Sequence, residues 1–302
     1  MLRQFRPAAG LALMRGIVLG GLMALLAMIS AARAEPIKIV AAENFYGDIA
    51  QQIGGAAVHV TSVLSNPDQD PHLFEASPSV ARNLSAARIV IYNGIDYDPW
   101  MEKLLGAARS ANRKVVVVAD LIGRKTGDNP HIWYDPATML ALANALSATL
   151  TSQDPAHKAE NAQRLADFAA SLKPIETKIA AVRARYAGVD VTATEPVFGY
   201  MLDALGLRVR NHAFQLAVMN NTEPSASDVA AFEHDLKTHR VKLLIYNSQA
   251  SDPIAKRMQA IAAQSGVPVV GASETEPAGK DYQAWMTSEL DAVEQALRKQ
   301  AP

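Results

Sequence analysis

Two histidines of the chain stand directly behind prolines, His72 in the stretch PHLFE and His131 in the stretch PHIWYD. Proline fixes its own φ and favours extended geometry in the residue before it, so both imidazoles are predicted to sit on stiff loops. Two acidic residues, Glu195 and Glu274, follow apolar runs that are typical of strands. Two imidazole nitrogens and two carboxylates form a mixed donor set that suits Mn²⁺, Zn²⁺ or Fe²⁺ better than Ca²⁺, Mg²⁺ or Cu⁺. The residue types therefore predict a site for a divalent transition metal.

Spacing alone leaves other interpretations of these residues open. The four candidates are separated by 59, 64 and 79 residues, unlike the compact ligand motifs of zincins or zinc fingers. The tripeptide Thr-Glu-Pro occurs three times in the chain, so Glu195 is also compatible with a strand-end or helix-cap role. A Pro-His pair in a loop is equally compatible with an ordinary surface histidine.

The elements that must position these residues alternate between strands and helices. Near-continuous Val and Ile runs predict buried strands, and segments of helical composition with Asn, Asp or Ser caps predict helices between them. This alternation indicates parallel sheets with crossover helices. The predicted strands are Ile37–Glu43, Val58–Leu64, Ala87–Gly94, Lys114–Asp120, Asp190–Glu195, Leu207–Phe214, Val241–Asn247 and Val267–Ser273.

An Ala-rich, charged segment in the middle of the chain predicts a long connecting helix. It starts with Asp154 and Pro155, a favourable cap and first-turn pair, and runs to about Tyr186 with a kink expected at Pro174. A helix of about 30 residues spans roughly 45 Å. The predicted fold class is α/β, with two lobes that each carry a parallel sheet and flanking helices and that are joined by one long rigid helix. The predicted limits are 35–152 for the N-terminal α/β lobe, 153–187 for the connecting helix and 188–302 for the C-terminal α/β lobe.

This organisation gives the four candidate ligands a common location. Ligands of open parallel sheets bind at the carboxyl ends of the strands. His72 and His131 would come from the first lobe, and Glu195 and Glu274 from the second, so a cleft between the lobes could collect all four. Glu43 and Asn44, at the end of the first strand, are expected to orient a ligand by hydrogen bonding.

The N-terminal residues 1–34 have the order of a secretory signal peptide. They contain arginines but no acidic residue, then an apolar run from Ile17 to Ile29, then small residues that predict cleavage after Ala34. The apolar run is shorter than the roughly 20 residues that a transmembrane helix needs. The chain has no cysteine, so we expect a periplasmic protein without a lipid anchor. The chain has 29 basic residues, of which four lie in residues 1–34, and 30 acidic residues; this balance argues against nucleic acid as a partner.

Five stretches of the chain resemble one known family. They are AAENFYGDIAQQIGG, DPHLFEASPS, ARIVIYNGIDYDPW, NPHIWYDP and EPVFGYMLDALGL, and in this order they are similar to the metal-binding solute-binding proteins of zinc and manganese ABC transporters. The resemblance implies that His72 is the first ligand and His131 the second. The third family position is histidine in many zinc binders and glutamate in many manganese binders, and Glu195 stands there. The fourth is usually an aspartate, for which this chain offers Glu274, with Glu276 as a rival.

The resemblance implies a monomeric extracytoplasmic binding protein, not an enzyme. It would capture about one Mn²⁺ or Zn²⁺ ion per chain and deliver it to an ABC-type permease in the inner membrane. Glu195 and the short segment GRKTGDN before Pro130-His131, in place of a histidine-rich loop, favour manganese, although Zn²⁺ outcompetes Mn²⁺ at most N/O sites.

Two other functions use the same chain differently. A metal-dependent hydrolase would use His72, His131 and Glu195 as ligands and Glu274 as a general base, and it needs an open metal position for water. An adhesion protein would bind a surface partner without need of the metal. Four protein ligands that enclose the ion would favour the transport receptor.

Overall fold

The computed structural model describes Met1 and residues 35–67, 71–250 and 252–300. Every helix and strand named below lies between Ile37 and Arg298. The predicted signal peptide, apart from Met1, lies outside the described residues. Among the residues that are described, none of the helices has both the length and the apolar character that crossing a membrane requires.

A first sheet of four parallel strands forms in the N-terminal half, in the order β2-β1-β3-β4. In β1, the five consecutive residues from Ile39 to Glu43 are all buried, as expected of a central strand that is covered on both faces. Because all four strands are parallel, their carboxyl ends lie at one edge of the sheet. The strands are β1 (Ile37–Glu43), β2 (Val58–Leu64), β3 (Ile89–Tyr92) and β4 (Lys114–Val117).

Helices connect these strands, and the first of them begins at the residue that follows β1. Its side chains Phe45, Ile49 and Ile53 recur every four residues and are buried, which is the period of one helix face. The helices of this half are α1 (Asn44–Gly54), α2 (Pro78–Ala86), α3 (Pro99–Ala107), α4 (Val118–Leu121) and α5 (Thr138–Gln153).

The predicted connecting helix is divided into two helices. They are α6 (Lys158–Ser171) and α7 (Lys173–Tyr186), separated at Leu172. Pro174 occupies the first turn of α7, where its missing N–H costs no helical hydrogen bond. The connection predicted as one long rigid helix with a kink at Pro174 is thus two helices, which meet at Leu172, two residues before that proline.

The second sheet repeats the arrangement of the first, with four parallel strands in the order β6-β5-β7-β8. The predicted α/β class with two parallel sheets is confirmed. Two predicted strands run into helices. The strand predicted at Lys114–Asp120 ends at Val117, directly before α4, and the strand predicted at Leu207–Phe214 ends at Arg210, since Asn211 has a left-handed backbone with φ 62° and starts a helix instead. The strands are β5 (Asp190–Ala193), β6 (Arg208–Arg210), β7 (Leu244–Asn247) and β8 (Val269–Ala272). The helices are α8 (Gly199–Ala204), α9 (His212–Met219), α10 (Ala226–Lys237), α11 (Pro253–Gln264) and α12 (Tyr282–Arg298).

Aromatic side chains from both halves form one continuous core. The ring of Trp133 lies 4.8 Å from Phe45, and the ring of Tyr134 lies 4.7 Å from Phe198 and 5.5 Å from Trp285. All five side chains are at most 1% exposed. The short 3₁₀ helix Ile132–Tyr134 therefore anchors the loop of His131 between the two sheets, and the site next to it is held by packing from both lobes.

Candidate metal centre

Three of the four predicted ligands are buried polar residues at strand ends or next to the core. Glu195 and Glu274 each stand two residues beyond a strand, after β5 and β8. His131 and Glu274 are fully buried, and Glu195 is 6% exposed. His72 lies in a short 3₁₀ helix, Pro71–Leu73, but its side chain is outside the described part of the structure. Its role as a ligand stays a prediction.

Asn129 fixes the orientation and the tautomer of His131. Its side-chain nitrogen donates to the carbonyl oxygen of Pro196 at 2.7 Å, and its side-chain oxygen accepts from the backbone N–H of His131 at 3.2 Å. That same oxygen lies 2.6 Å from His131 Nδ1. Since a carbonyl oxygen can only accept, Nδ1 carries the hydrogen, and in the neutral ring Nε2 presents a lone pair. This is the arrangement that metal-binding histidines use.

The lone pair of His131 faces a carboxylate. Nε2 lies 3.4 Å from Glu274 Oε2 and has no hydrogen-bond partner of suitable geometry, although it is buried. A cation between these two electron-rich atoms would be favourable at a buried site, because an unpaired buried polar atom is costly. Among the described residues there is no group of three or more His, Cys, Asp or Glu side chains that could hold an ion. His131, Glu195 and Glu274 therefore do not form a closed coordination shell by themselves.

Asn247, the last residue of β7, joins the two carboxylates. Its side-chain nitrogen donates to Glu195 Oε2 at 2.7 Å and to Glu274 Oε1 at 2.5 Å. Tyr97 donates its hydroxyl to Glu274 Oε2 at 3.0 Å. Burial, and next to it the charge of Glu274, raise the pKa of Tyr97 well above its ordinary value, so the phenol keeps its proton and remains a donor.

The loop that carries Glu274 is held from both lobes. Gln249 accepts from the backbone N–H groups of Glu274 and Thr275 at 2.5 and 3.1 Å. From the other lobe, the Asn44 side chain donates to the carbonyl of Glu276 at 2.7 Å and accepts from its N–H at 3.0 Å. Asn44 thus acts on the backbone of this loop, which refines the expectation that it orients a ligand.

The rival acid, Glu276, has different surroundings from Glu274. Burial, followed by the charges of Asp48 and Asp281, raises its pKa to about 8. Its side chain is 8% exposed, and Oε2 is buried without a hydrogen-bond partner. The carboxylate next to His131 is therefore that of Glu274. The carboxyl group of Glu276 instead interacts with the charges of Asp48 and Asp281.

Glu43, the other residue expected to orient a ligand, faces into the N-terminal lobe. It is fully buried, and burial together with the Asp98 carboxylate raises its pKa well above its ordinary value. Asp98 accepts from the backbone N–H groups of Asn93 and Gly94 at 2.6 and 2.9 Å. Burial nevertheless raises the pKa of Asp98 to about 7. The two carboxyl groups form a buried acidic pair behind the loop that carries Tyr97.

Sequence reasoning missed the residues that orient the candidate ligands. They are Asn129, Asn247 and Tyr97. Asn129 directly precedes the Pro-His pair, and Asn247 ends an apolar run at the carboxyl edge of the second sheet. Applying the strand-end rule to amides as well as to acids would have identified Asn247.

Comparisons with known proteins agree with this architecture. The family described as zinc-uptake complex component A, periplasmic (ZnuA), matches residues 39–296. The iron ABC transporter substrate-binding lipoprotein MtsA of Streptococcus pyogenes serotype M1 is 22% identical over 292 residues, which cover 89% of this chain and 91% of MtsA. The manganese ABC transporter substrate-binding lipoprotein PsaA of Streptococcus anginosus is 21% identical over 289 residues, which cover 88% of this chain and 90% of PsaA.

A solved structure shows the same fold. The periplasmic zinc-binding protein TroA from Treponema pallidum matches with a TM-score of 0.72 at 20% identity, over 87% of this chain and 99% of TroA. The names of the three proteins specify iron, manganese and zinc, so the metal differs among proteins that resemble this chain.

Proposed function

Because the chain belongs to the family of the periplasmic component A of the zinc-uptake complex, we propose that it is an extracytoplasmic solute-binding protein that delivers a divalent transition metal to an ABC-type permease of the inner membrane. The family consists of solute-binding proteins rather than enzymes. The proposed cargo is one Mn²⁺ or Zn²⁺ ion per monomeric chain, bound between the lobes 35–152 and 188–302. The proposed ligands are His72, His131, Glu195 and Glu274.

One observation carries the proposal. The lone pair of His131 Nε2 faces Glu274 Oε2 at 3.4 Å in a fully buried position, and Asn129 holds the ring in the tautomer that a metal needs. Glu195 is tied to the same carboxylate through Asn247. This arrangement provides one nitrogen and two carboxylates, and the loop of His72 supplies the fourth donor in the proposal.

The proposed location is the periplasm, with the mature chain beginning near Glu35. MtsA and PsaA are both named lipoproteins, whereas the expectation of a chain without a lipid anchor depends on the absence of cysteine from this sequence. The hydrolase alternative gains no support from MtsA, PsaA or TroA, whose names describe binding proteins.

The test is metal analysis of the purified full chain, followed by competitive titration with Zn²⁺ and Mn²⁺. We expect about one ion per chain, and His131→Ala should weaken binding at least about 100-fold, or about 2.7 kcal/mol. His59→Ala is the matched control, because His59 lies exposed on β2 and its removal should leave binding unchanged. A wild-type chain that binds neither metal, or equal binding by His131→Ala and His59→Ala, would overturn the proposal.

A further inference from the structure

The neutral side chain of Asn247 donates hydrogen bonds to two carboxylates, those of Glu195 and Glu274. It is 3% exposed and lies at the carboxyl end of β7. Its side-chain nitrogen has two hydrogens, and the two bonds to Glu195 Oε2 and Glu274 Oε1, at 2.7 and 2.5 Å, use both of them. Every donor hydrogen of the amide is thus directed at a proposed ligand.

The orientation of this amide is fixed by the turn that follows β7. Asn247 Oδ1 accepts from the backbone N–H of Gln249 at 3.0 Å, so the oxygen faces the turn and the nitrogen faces the acids. An aspartate here would add a third carboxylate, and a lysine would bring a positive charge that competes with the bound cation. Asparagine donates to both acids without changing the charge of the site.

These bonds select which oxygen of each carboxylate faces the ion. In Glu274, Oε1 accepts from Asn247, and Oε2, which also accepts from the Tyr97 hydroxyl at 3.0 Å, is the oxygen 3.4 Å from His131 Nε2. In Glu195, Oε2 is the oxygen held by Asn247. An oxygen that accepts a hydrogen bond from Asn247 is less available to the ion than the other oxygen of the same carboxylate, which favours one metal bond per carboxylate. Carboxylates that each give one oxygen suit the four-coordinate geometry of Zn²⁺, whereas Mn²⁺ favours six ligands.

We propose, on the basis of the proposed metal-binding function, that Asn247 is a specificity-determining positioning residue that holds Glu195 and Glu274 in one-oxygen coordination and so favours Zn²⁺ over Mn²⁺. Without its two N–H groups, Glu195 Oε2 and Glu274 Oε1 lose the hydrogen bonds from Asn247, and each can bind the ion as the second oxygen of its carboxylate. The coordination number then rises, and the larger ion gains relative to the smaller one. Asn247 therefore acts against the preference for manganese that Glu195 suggests from the sequence.

The experiment compares the ratio of Zn²⁺ to Mn²⁺ affinity in the wild-type chain, Asn247→Ala and Asn247→Ser. We expect the ratio to fall about tenfold in Asn247→Ala, or about 1.4 kcal/mol, because Mn²⁺ then gains a carboxylate oxygen that four-coordinate Zn²⁺ does not need. The hydroxyl of Asn247→Ser donates one hydrogen instead of two and should give an intermediate ratio. If Asn247→Ala does not fold, the ratio in Asn247→Ser alone tests the proposal. X-ray absorption of bound Mn²⁺ should show more oxygen atoms bound to the ion in Asn247→Ala than in the wild-type chain.

Gln249→Ala is the matched control. Gln249 holds the same loop through the backbone N–H groups of Glu274 and Thr275, so its loss should weaken both metals in parallel and change the ratio by less than about threefold. A ratio that is unchanged in both Asn247 variants, or that falls equally in Gln249→Ala, overturns the role of Asn247. A wild-type chain that binds neither metal overturns the proposed function itself, so the two failures are distinguishable.

Discussion

Replacing Asn129 by alanine should weaken metal binding and loosen the contact between the lobes at the same time. The change removes the acceptor that holds His131 Nδ1 at 2.6 Å and the donor to the Pro196 carbonyl at 2.7 Å. Loss of the hydrogen-bond partner of a metal-binding histidine typically costs about 10- to 100-fold in metal affinity, or about 1.4 to 2.7 kcal/mol. The metal-free protein also loses these bonds and the one to the backbone of His131, each worth about 1 kcal/mol.

Asn129→Asp separates the two effects. Its carboxylate still accepts from His131 Nδ1, so the tautomer and ring orientation are kept, and metal affinity should stay within about threefold of wild type or increase. It has no hydrogen to donate to Pro196, so the free energy of unfolding of the metal-free protein should fall, as it does in Asn129→Ala. The backbone carbonyl of Asn129, which accepts from Tyr200 at 2.8 Å, is present in both variants.

Two measurements check this reasoning. Competition with a chromophoric chelator gives the Zn²⁺ affinity at constant pH, and urea unfolding of the metal-free chains gives the free energy of unfolding. The role of Asn129 is refuted if Asn129→Ala binds Zn²⁺ within about threefold of wild type, a change in binding free energy below about 1 kcal/mol. Binding by Asn129→Asp as weak as that by Asn129→Ala would also refute it.

Two further predictions concern the parts of the fold that support the site. Burial raises the pKa of Glu289 to about 7, above the value of about 4.3 in an unfolded chain. The folded state therefore holds more protons between these values and is destabilised by about 4 kcal/mol as the pH rises through them. Urea unfolding from pH 4.5 to 7.5 should show a smaller decline in Glu289→Gln than in wild type, and an identical decline would contradict this. Asn44→Ala should lower the free energy of unfolding by about 2 kcal/mol through the loss of two bonds to Glu276. The exposed Asn144→Ala should change it by less than about 0.5 kcal/mol, and equal effects in the two variants would be evidence against the contact between α1 and the loop.

Strand positions could be predicted where the sequence carried an unambiguous local signal. The predicted bounds of β1 and β2 agree with the structure, because continuous apolar β-branched runs bounded by turn residues specify buried strands. Helices were missed where the signal was weak. Thr138–Gln153 is rich in Ala and Leu on most of its surface and lacks a clear polar face, and His212–Met219 directly follows a short strand, so its residues were assigned to that strand.

The sequence by itself determined the residue types of the candidate site and the edge of each sheet where they lie. Strand-end position is a local property, and it led to Glu195 and Glu274 before any contact was known. The tertiary structure alone decided which acid of the last loop faces His131. Glu274 and Glu276 are two residues apart in one loop and equivalent by composition, but Asn247 and Tyr97 hold the first, while Asn44 from the other lobe holds the backbone of the second. These partners are far apart in the chain, and only folding brings them together, so no local pattern could make the distinction.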